Sequence, residues 1–193
     1  MLGLKLATDP KWANIAERNL AEILTDHAWC EQKAAINAIS LITINPEKTE
    51  LVTELLKVAI EEMEHFQQVH DIIKARGFEF GKDRKDDYVG ELVKFCRKGG
   101  SKQFQLVERL LFAAMIEARS CERFRVLSEN IKDEELKVFY KNLMISEANH
   151  YTMFLRFAKQ YGEGVDVDKR WEEWLEGEAL IIASYGNKER VHG

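Results

Sequence analysis

Two stretches of sequence that repeat one pattern decide the fold of this chain. Residues 55–72 read LLKVAIEEMEHFQQVHDI, and residues 140–157 read YKNLMISEANHYTMFLRF. In each stretch, core positions recur at alternating spacings of three and four residues, which is the seam of an amphipathic helix packed in a bundle. A glutamate and a histidine occupy two consecutive positions of each seam. They are Glu62 and His65 in the first stretch, and Glu147 and His150 in the second.

Each Glu-x-x-His pair follows a lone glutamate that lies in the seam of an earlier helix. Glu31 precedes Glu62 by 31 positions, and Glu117 precedes Glu147 by 30. No Lys or Arg lies in these seams, and four unpaired carboxylates there would cost on the order of several kcal/mol each. Two divalent cations would balance the four negative charges, whereas either pair taken alone could be a hydrogen-bonded core pair. The predicted metal ligands are Glu31, Glu62, His65, Glu117, Glu147 and His150.

Composition predicts one largely helical domain. The chain has 193 residues, 46% of them hydrophobic, with only 2 prolines and a formal net charge of −5. It contains no apolar run of about eighteen residues that could span a membrane and no basic-then-apolar leader. The cysteines Cys30, Cys96 and Cys121 form no disulfide or zinc pattern. We therefore expect a cytoplasmic protein that is a monomer or a small homo-oligomer.

Capping residues and glycines predict where the helices begin and end. Asn45 and Pro46 are expected to start the second core helix, and Gly77 to end it. Ser101 is expected to cap the third core helix, and Asp133 the fourth. Residues 1–193 are expected to form a single ferritin-like domain. Its predicted core helices cover approximately 19–43, 46–76, 102–129 and 133–161, and shorter helices are expected after Pro10, at 88–98 and at 166–185.

The lengths of the two predicted hairpins bring their polar residues to one level. Each lone glutamate and each Glu-x-x-His motif lies 14 to 17 residues from the intervening turn, which is roughly 21–26 Å at 1.5 Å per residue. The long connection between the second and third core helices allows two hairpins to pack together, as in ferritin-like bundles. The predicted fold class is all-α: a ferritin-like four-helix bundle with a long crossover and additional short N-terminal, connector and C-terminal helices.

Three further features allow two interpretations each. His27 lies one turn before Glu31 and could hydrogen-bond near the site or lie satisfied at the edge of the bundle. Alanines beside Glu31 and Glu117 could leave a pocket above the metals or serve close helix packing. The segment from Lys82 to Lys102 contains seven basic and four acidic residues. Such a run is either a solvated connector or a surface that binds phosphates.

Two longer blocks carry a family resemblance. The segment HAWCEQKAA at residues 27–35 and the segment EARSCERF at residues 117–124 resemble the tRNA hydroxylase family MiaE, together with the two Glu-x-x-His pairs. The resemblance extends over about residues 10–185. Members of this family act on 2-methylthio-N6-isopentenyladenosine at position 37 of tRNA.

The resemblance implies a non-haem di-iron monooxygenase that hydroxylates the isopentenyl group with O₂. The six predicted ligands would hold two iron ions, which agrees with the preference of carboxylate-rich sites for iron or manganese. The chain has no flavin or Fe–S motif, so two electrons would come from a reductase or a ferredoxin-like protein. The basic segment at residues 82–102 would then contact the tRNA backbone.

Other uses of such a bundle remain open at this stage. A rubrerythrin-like peroxide reduction or a ferritin-like iron oxidation is the first alternative, although the Cys-x-x-Cys module usual in rubrerythrins does not occur in the sequence. A di-manganese catalase and a helical RNA-binding scaffold without catalysis are the others.

Overall fold

The computed structural model describes residues 2–185, in which it contains seven α-helices and no strand. The helices are α1 (Trp12–Arg18), α2 (Leu20–Ile44), α3 (Thr49–Ala75), α4 (Asp87–Phe95), α5 (Lys102–Asn130), α6 (Glu134–Tyr161) and α7 (Val167–Tyr185). The all-α class is confirmed, and the ends of the four long helices agree with the predicted ones to within three residues. Among the described residues, no helix is both long enough and apolar enough to cross a membrane.

Contacts within the chain define two compact units, residues 18–85 and residues 2–17 with 86–185. The single domain expected from the sequence stays a prediction. The first unit is the hairpin of α2 and α3. Leu24 of α2 and Leu55 of α3, which lie in the predicted seams, are fully buried. At the end of α2 the predicted seam residue Ile42 is only half-buried, and Leu41 is fully buried instead.

The start of α3 differs from the prediction. Asn45 ends α2 instead of capping α3, because its backbone N–H donates to the carbonyl of Ile42 at 3.2 Å and its side-chain amide donates to the carbonyl of Leu41 at 2.9 Å. Pro46 therefore lies in the turn, and α3 begins at Thr49. The other end of α3 is as predicted, since Gly77 has a φ of +68° and donates to the carbonyl of Lys74, a conformation in which glycine is favoured.

The second unit is built on the hairpin of α5 and α6. Ser101 and Asp133 cap these helices by accepting hydrogen bonds from the backbone N–H groups of Phe104 and Leu136, at 3.1 and 3.0 Å. Both caps agree with the sequence. The connector helix α4 and the C-terminal helix α7 contact each other and α5. Faces of α5 other than its seam are therefore also covered.

Two buried ion pairs join α5 to α7. Glu108 accepts from Arg170 at 2.6 Å, and Arg119 donates to Glu178 at 2.7 Å. All four side chains are at most 4% exposed. Burying charges is unfavourable unless they are paired and hydrogen-bonded, so these two pairs fix which faces of α5 and α7 meet.

The same ion pairs hold the segments on either side of the hairpin. Arg119 also donates to the carbonyl of Leu6 at 3.0 Å, and the hydroxyl of Tyr88 donates to Glu178 at 3.2 Å. Arg170 donates to the carbonyl of Phe95 at 3.3 Å. The N-terminal segment and both ends of α4 are thereby tied to buried charges.

Candidate metal centre

The hairpin of α2 and α3 brings three of the predicted ligands together. Glu31 on α2 and Glu62 and His65 on α3 each offer one ligand atom, and these atoms lie within 4.8 Å of one another. Nδ1 of His65 is 3.4 Å from a carboxylate oxygen of Glu62 and 3.9 Å from one of Glu31. The three residues are at most 5% exposed. We call this set the first triad.

The hairpin of α5 and α6 repeats the arrangement. Glu117 on α5 and Glu147 and His150 on α6 offer ligand atoms that lie within 4.8 Å of one another, and Nδ1 of His150 is 4.0 Å from a carboxylate oxygen of Glu117. These residues are at most 4% exposed. This is the second triad, and each triad joins one lone glutamate to one Glu-x-x-His motif.

Helix geometry explains why each motif delivers two ligands to one place. Residues three apart on a helix lie on the same face, one turn above the other. The neighbouring seam residues, such as Leu55 and Val69 on α3 and Leu143 and Phe154 on α6, are all at most 2% exposed. The polar pairs are thus fixed by the same buried seam that packs the hairpins.

The donor set fits a hard divalent metal ion. Each triad supplies two carboxylates and one imidazole, which are donors suited to iron or manganese, while thiolates are absent from both. Each triad also lacks a cationic side chain, so two ionised carboxylates in a buried position call for positive charge from elsewhere. One divalent cation per triad has the required charge.

His27 contacts the first triad. Its side chain is fully buried, and Nε2 lies 2.5 Å from Oε1 of Glu31, one helical turn further along α2. Of the two interpretations that the sequence left open, the structure therefore favours a hydrogen bond to the site over a satisfied position at the bundle edge.

Most of the alanines beside the lone glutamates are buried. Ala28, Ala35, Ala113, Ala114 and Ala118 are at most 2% exposed, whereas Ala34 is half-buried. Small side chains of this kind let helix backbones approach each other closely, so the structure favours the packing interpretation at the five buried positions.

Cys121 is a packing residue one turn after Glu117. Its thiol donates to the carbonyl of Met144 at 3.2 Å. Burial, followed by the nearby charges of Glu147 and Glu122, raises the pKa of this thiol to about 12. A thiol that stays protonated at neutral pH is a poor nucleophile.

The basic segment is partly neutralised. Arg84 forms an ion pair with Glu22, Lys94 with Glu91 at 2.6 Å, and Arg97 with Glu173 at 2.7 Å. Lys98 and Lys102 are exposed on either side of the turn that precedes α5. Together with Lys82, which is likewise exposed, these two lysines are the cations of the segment most available to a polyanion.

Sequence reasoning missed the buried ion pairs of α5. Glu108, Arg119 and Glu122 lie outside the seam pattern, and their partners are 59 to 114 residues away. The only local signal is the block at residues 117–124, in which Arg119 and Glu122 are three residues apart. Spacing within one helix cannot reveal a partner on α7 or in the N-terminal segment.

Comparisons with known proteins agree with the family resemblance. The family model described as tRNA-(MS[2]IO[6]A)-hydroxylase (MiaE) matches residues 2–193. The tRNA 2-(methylsulfanyl)-N(6)-isopentenyladenosine(37) hydroxylase of Pseudomonas putida is 35% identical over 185 residues, covering 96% of this chain and 89% of that protein. The enzyme of the same name from Salmonella typhimurium is 29% identical over 222 residues, covering 91% and 81%.

A solved structure supports the fold in the same way. The protein described as "Protein 43 with aldehyde deformylating oxygenase activity", from Synechococcus, matches with a TM-score of 0.88 and 31% sequence identity, covering 98% of this chain and 95% of that chain. This likeness confirms the ferritin-like fold that the sequence predicted.

Proposed function

We propose, since this chain belongs to the MiaE family of tRNA hydroxylases, that its two triads together hold two iron ions at which O₂ is used. The chain is accordingly an enzyme of tRNA modification, which hydroxylates the isopentenyl group of 2-methylthio-N6-isopentenyladenosine at position 37. The observation that carries the metal proposal is the pair of buried triads, each with two carboxylates and one imidazole within 4.8 Å.

Iron is the metal that suits both the donors and the reaction. Two divalent ions would neutralise Glu31, Glu62, Glu117 and Glu147, and one imidazole would bind each ion. When bound, a di-iron centre supplies the two-electron activation of O₂, in which one oxygen atom enters a C–H bond and the other leaves as water, with two electrons and two protons consumed.

The residues of this chain prepare the site for that chemistry. The glutamates supply the negative charge that holds the cations, and the low exposure of all six side chains excludes bulk water from them. In a buried environment each carboxylate interacts more strongly with a cation than it would in water. His65 and His150 would each supply one nitrogen donor to its triad.

Electrons would come from a separate protein. The three cysteines are single thiols far apart in sequence, and Cys121 is held protonated. They provide neither a Cys-x-x-Cys motif nor the four thiolates of an iron–sulfur cluster. A reductase or a ferredoxin-like carrier is therefore part of the proposed reaction.

The reaction is tested by measuring oxygen transfer to tRNA. The iron-loaded protein is reduced, mixed with tRNA that carries the isopentenylated adenosine, and exposed to ¹⁸O₂. We expect the modified nucleoside to gain one labelled oxygen atom, as measured by mass spectrometry after digestion. An unchanged nucleoside, with two iron ions bound and reductant present, would contradict the proposed function.

Variants of α3 and α6 connect this reaction to the triads. Glu62→Ala and Glu147→Ala should each lower bound iron and abolish the gain of oxygen. Glu64→Ala is the matched control, because Glu64 is an exposed glutamate on α3. Full iron content in both triad variants, determined by elemental analysis, would rule out these residues as ligands.

The tRNA backbone would meet the start of α5, where Lys98 and Lys102 are exposed. Contacts with phosphate position a nucleic acid and make its binding sensitive to salt. The double variant Lys98→Glu/Lys102→Glu should bind tRNA more weakly. Its plot of log affinity against log salt should flatten by about 0.7–0.9 for each lost phosphate contact.

The control for this measurement reverses two other charges. Lys57→Glu/Lys141→Glu changes the net charge by the same amount at exposed positions on α3 and α6. Equal loss of tRNA binding in the two double variants would show that only net charge matters, and would reject Lys98 and Lys102 as specific contacts.

A further inference from the structure

A small cavity lies between the start of α5 and the start of α7, within the second unit. Its volume is about 250 Å³, which is below the roughly 300–1,000 Å³ usual for sites that enclose a drug-sized ligand. The cavity therefore suits one small group of a larger ligand. Its lining combines three cationic side chains, two carboxylates and one aromatic ring, which belong to Arg97, Lys169, Arg170, Asp166, Glu173 and Phe104.

The cavity is separate from the metal ligands of its own unit. Phe104 and Glu117 both lie on α5, and Glu117 follows Phe104 by 13 positions. This spacing corresponds to roughly 20 Å along the helix axis. A group bound beside Phe104 is therefore too far from Glu117 to be the group that reacts at the metals.

Hydrogen bonds to buried side chains hold the floor of the cavity. Arg170 donates to Glu108 through Nε at 2.6 Å and through Nη2 at 2.9 Å, and to Glu173 through Nη1 at 2.9 Å. The backbone N–H of Arg97 donates to the same Glu108 at 2.9 Å. Glu108 thus ties the loop before α5 to the start of α7. A site that is held in place before binding loses less conformational freedom when a ligand arrives.

Two cations at the rim keep donors for a ligand. Lys169 is exposed and forms no ion pair with any residue that the structure describes. Arg97 pairs with Glu173 through Nη2 at 2.7 Å, and this is the one hydrogen bond that its side chain makes to a described residue. Since a guanidinium carries five N–H donors, most of those of Arg97 are available.

The charge state of Glu173 shows that the cavity is electropositive. The hydrogen bond from Arg170, followed by the charges of Arg97 and Lys169, lowers the pKa of Glu173 against the small opposing effect of burial. Glu173 is therefore ionised at neutral pH, and the lining still holds three cations against two carboxylates. The chain as a whole has a net charge of −5, so this positive charge is local. It favours a ligand that carries negative charge.

Phe104 adds a flat apolar surface to these charges. Its side chain is half-buried, and no other aromatic ring of the described residues packs against it. By contrast, Phe95 and Trp174 pack against each other with ring centroids 5.0 Å apart. A cation beside an open aromatic ring is the combination with which proteins hold single-stranded nucleic acids, because the phosphate contacts the cation and the base stacks on the ring.

We propose that this cavity binds one unpaired nucleotide of tRNA, with its phosphate at Lys169 and Arg97 and its base stacked on Phe104. The inference rests on the proposed function, which makes a tRNA the ligand of this chain. The nucleotide is a different one from the nucleotide that is hydroxylated. Lys98 and Lys102 lie in the adjoining turn, so the cavity extends the proposed backbone contacts to a contact with one base.

Binding of an unmodified transcript of the substrate tRNA tests the inference, because fluorescence anisotropy reads its affinity without iron or turnover. Phe104→Leu should weaken binding by at least about 5-fold, the lower limit for the loss of one base–aromatic stack, and leave the slope of log affinity against log salt unchanged. Phe104→Trp, which keeps a ring, should restore the affinity. Lys169→Ala should weaken binding and flatten that slope by about 0.7–0.9.

Matched controls lie on α6. Phe139→Leu removes the ring of another half-buried phenylalanine, and Lys141→Ala removes another exposed lysine; neither residue lines the cavity. Both variants should bind the transcript as the wild-type protein does. Far-ultraviolet circular dichroism establishes that each variant is folded. If Phe104→Leu does not fold, the comparison of Phe104→Met with Phe104→Trp decides: equal affinities reject the stack.

The possible failures are distinguishable from each other. A loss of affinity in Lys169→Ala without a loss in Phe104→Leu shows a phosphate contact alone and overturns the inference, as do losses in the controls that equal those at the cavity. If Phe104→Leu loses binding of adenosine monophosphate but not of the transcript, the cavity takes free nucleotides, which also overturns it. After any of these results, labelled oxygen in the tRNA nucleoside would still support the proposed function.

Discussion

The two hairpins present the same ligands but are surrounded differently. On α5, Arg119, Glu122 and Arg123 lie outside the metal seam and are at most 4% exposed. On α3, Leu56 and Ile60 also lie outside the seam, yet they are 50% and 61% exposed. Outside the seams, charged side chains of α5 are thus buried, whereas apolar side chains of α3 are exposed.

The reason for this difference is what covers each hairpin within its own unit. The outer faces of α5 carry α7, α4 and the N-terminal segment, so charged residues there are buried and need partners. The outer face of the first hairpin forms an open groove of about 690 Å³, lined mainly by apolar residues of α3 with Ile39 of α2. The two seams bury the same types of ligand and apolar residue, whereas the residues outside the seams differ with what covers each hairpin.

The largest expected effect comes from breaking a buried ion pair of the second unit. Arg119→Met leaves Glu178, which is 0% exposed, without its guanidinium partner. Burial already raises the pKa of Glu178 while Arg119 is present. The free energy of unfolding, measured by urea denaturation, should fall by about 3–5 kcal/mol.

Lys137→Met on α6 is the control in the same unit. Lys137 pairs with Glu134 at 2.5 Å, and the two side chains are 32% and 81% exposed. A solvated pair of this kind should contribute at most about 1 kcal/mol. Equal losses for the two variants would mean that the buried charges of α5 matter no more than a surface charge.

A smaller loss of stability is expected from substitutions on α3, and its size should differ between the two faces of the helix. Leu55 is fully buried in the seam, whereas the next residue, Leu56, lines the open groove. Leu55→Ala should lower the free energy of unfolding by about 2–5 kcal/mol, and Leu56→Ala by about 0.5 kcal/mol or less. A loss at Leu56 as large as that at Leu55 would show that the groove is covered in solution, for example by another molecule.

The sequence predicted what depends on helical periodicity. The seams, the caps at Ser101 and Asp133, and the grouping of each lone glutamate with a Glu-x-x-His motif follow from spacing and local chemistry. These features need only one helix or one hairpin. Local sequence is therefore sufficient to specify them.

The features that could not be predicted depend on a choice between two possible partners, or on partners that are distant in sequence. Asn45 had two helices that it could cap, and its side chain bonds back to α2. The partners of Arg119 and Glu108 lie on α7, which no periodicity of α5 specifies. The spacing of His27 from Glu31 allows a contact, but the contact depends on the rotamer that the packing selects.

The protonated state of Cys121 has a consequence for the durability of the enzyme. This thiol follows Glu117 by one turn, so it lies close to the proposed metal centre. The thiolate is the form that is oxidised to sulfenic acid. Because burial raises the pKa of Cys121 to about 12, the thiol stays protonated at neutral pH. Burial of this one sulfur thus makes it a poor target for an oxidant formed at the proposed centre.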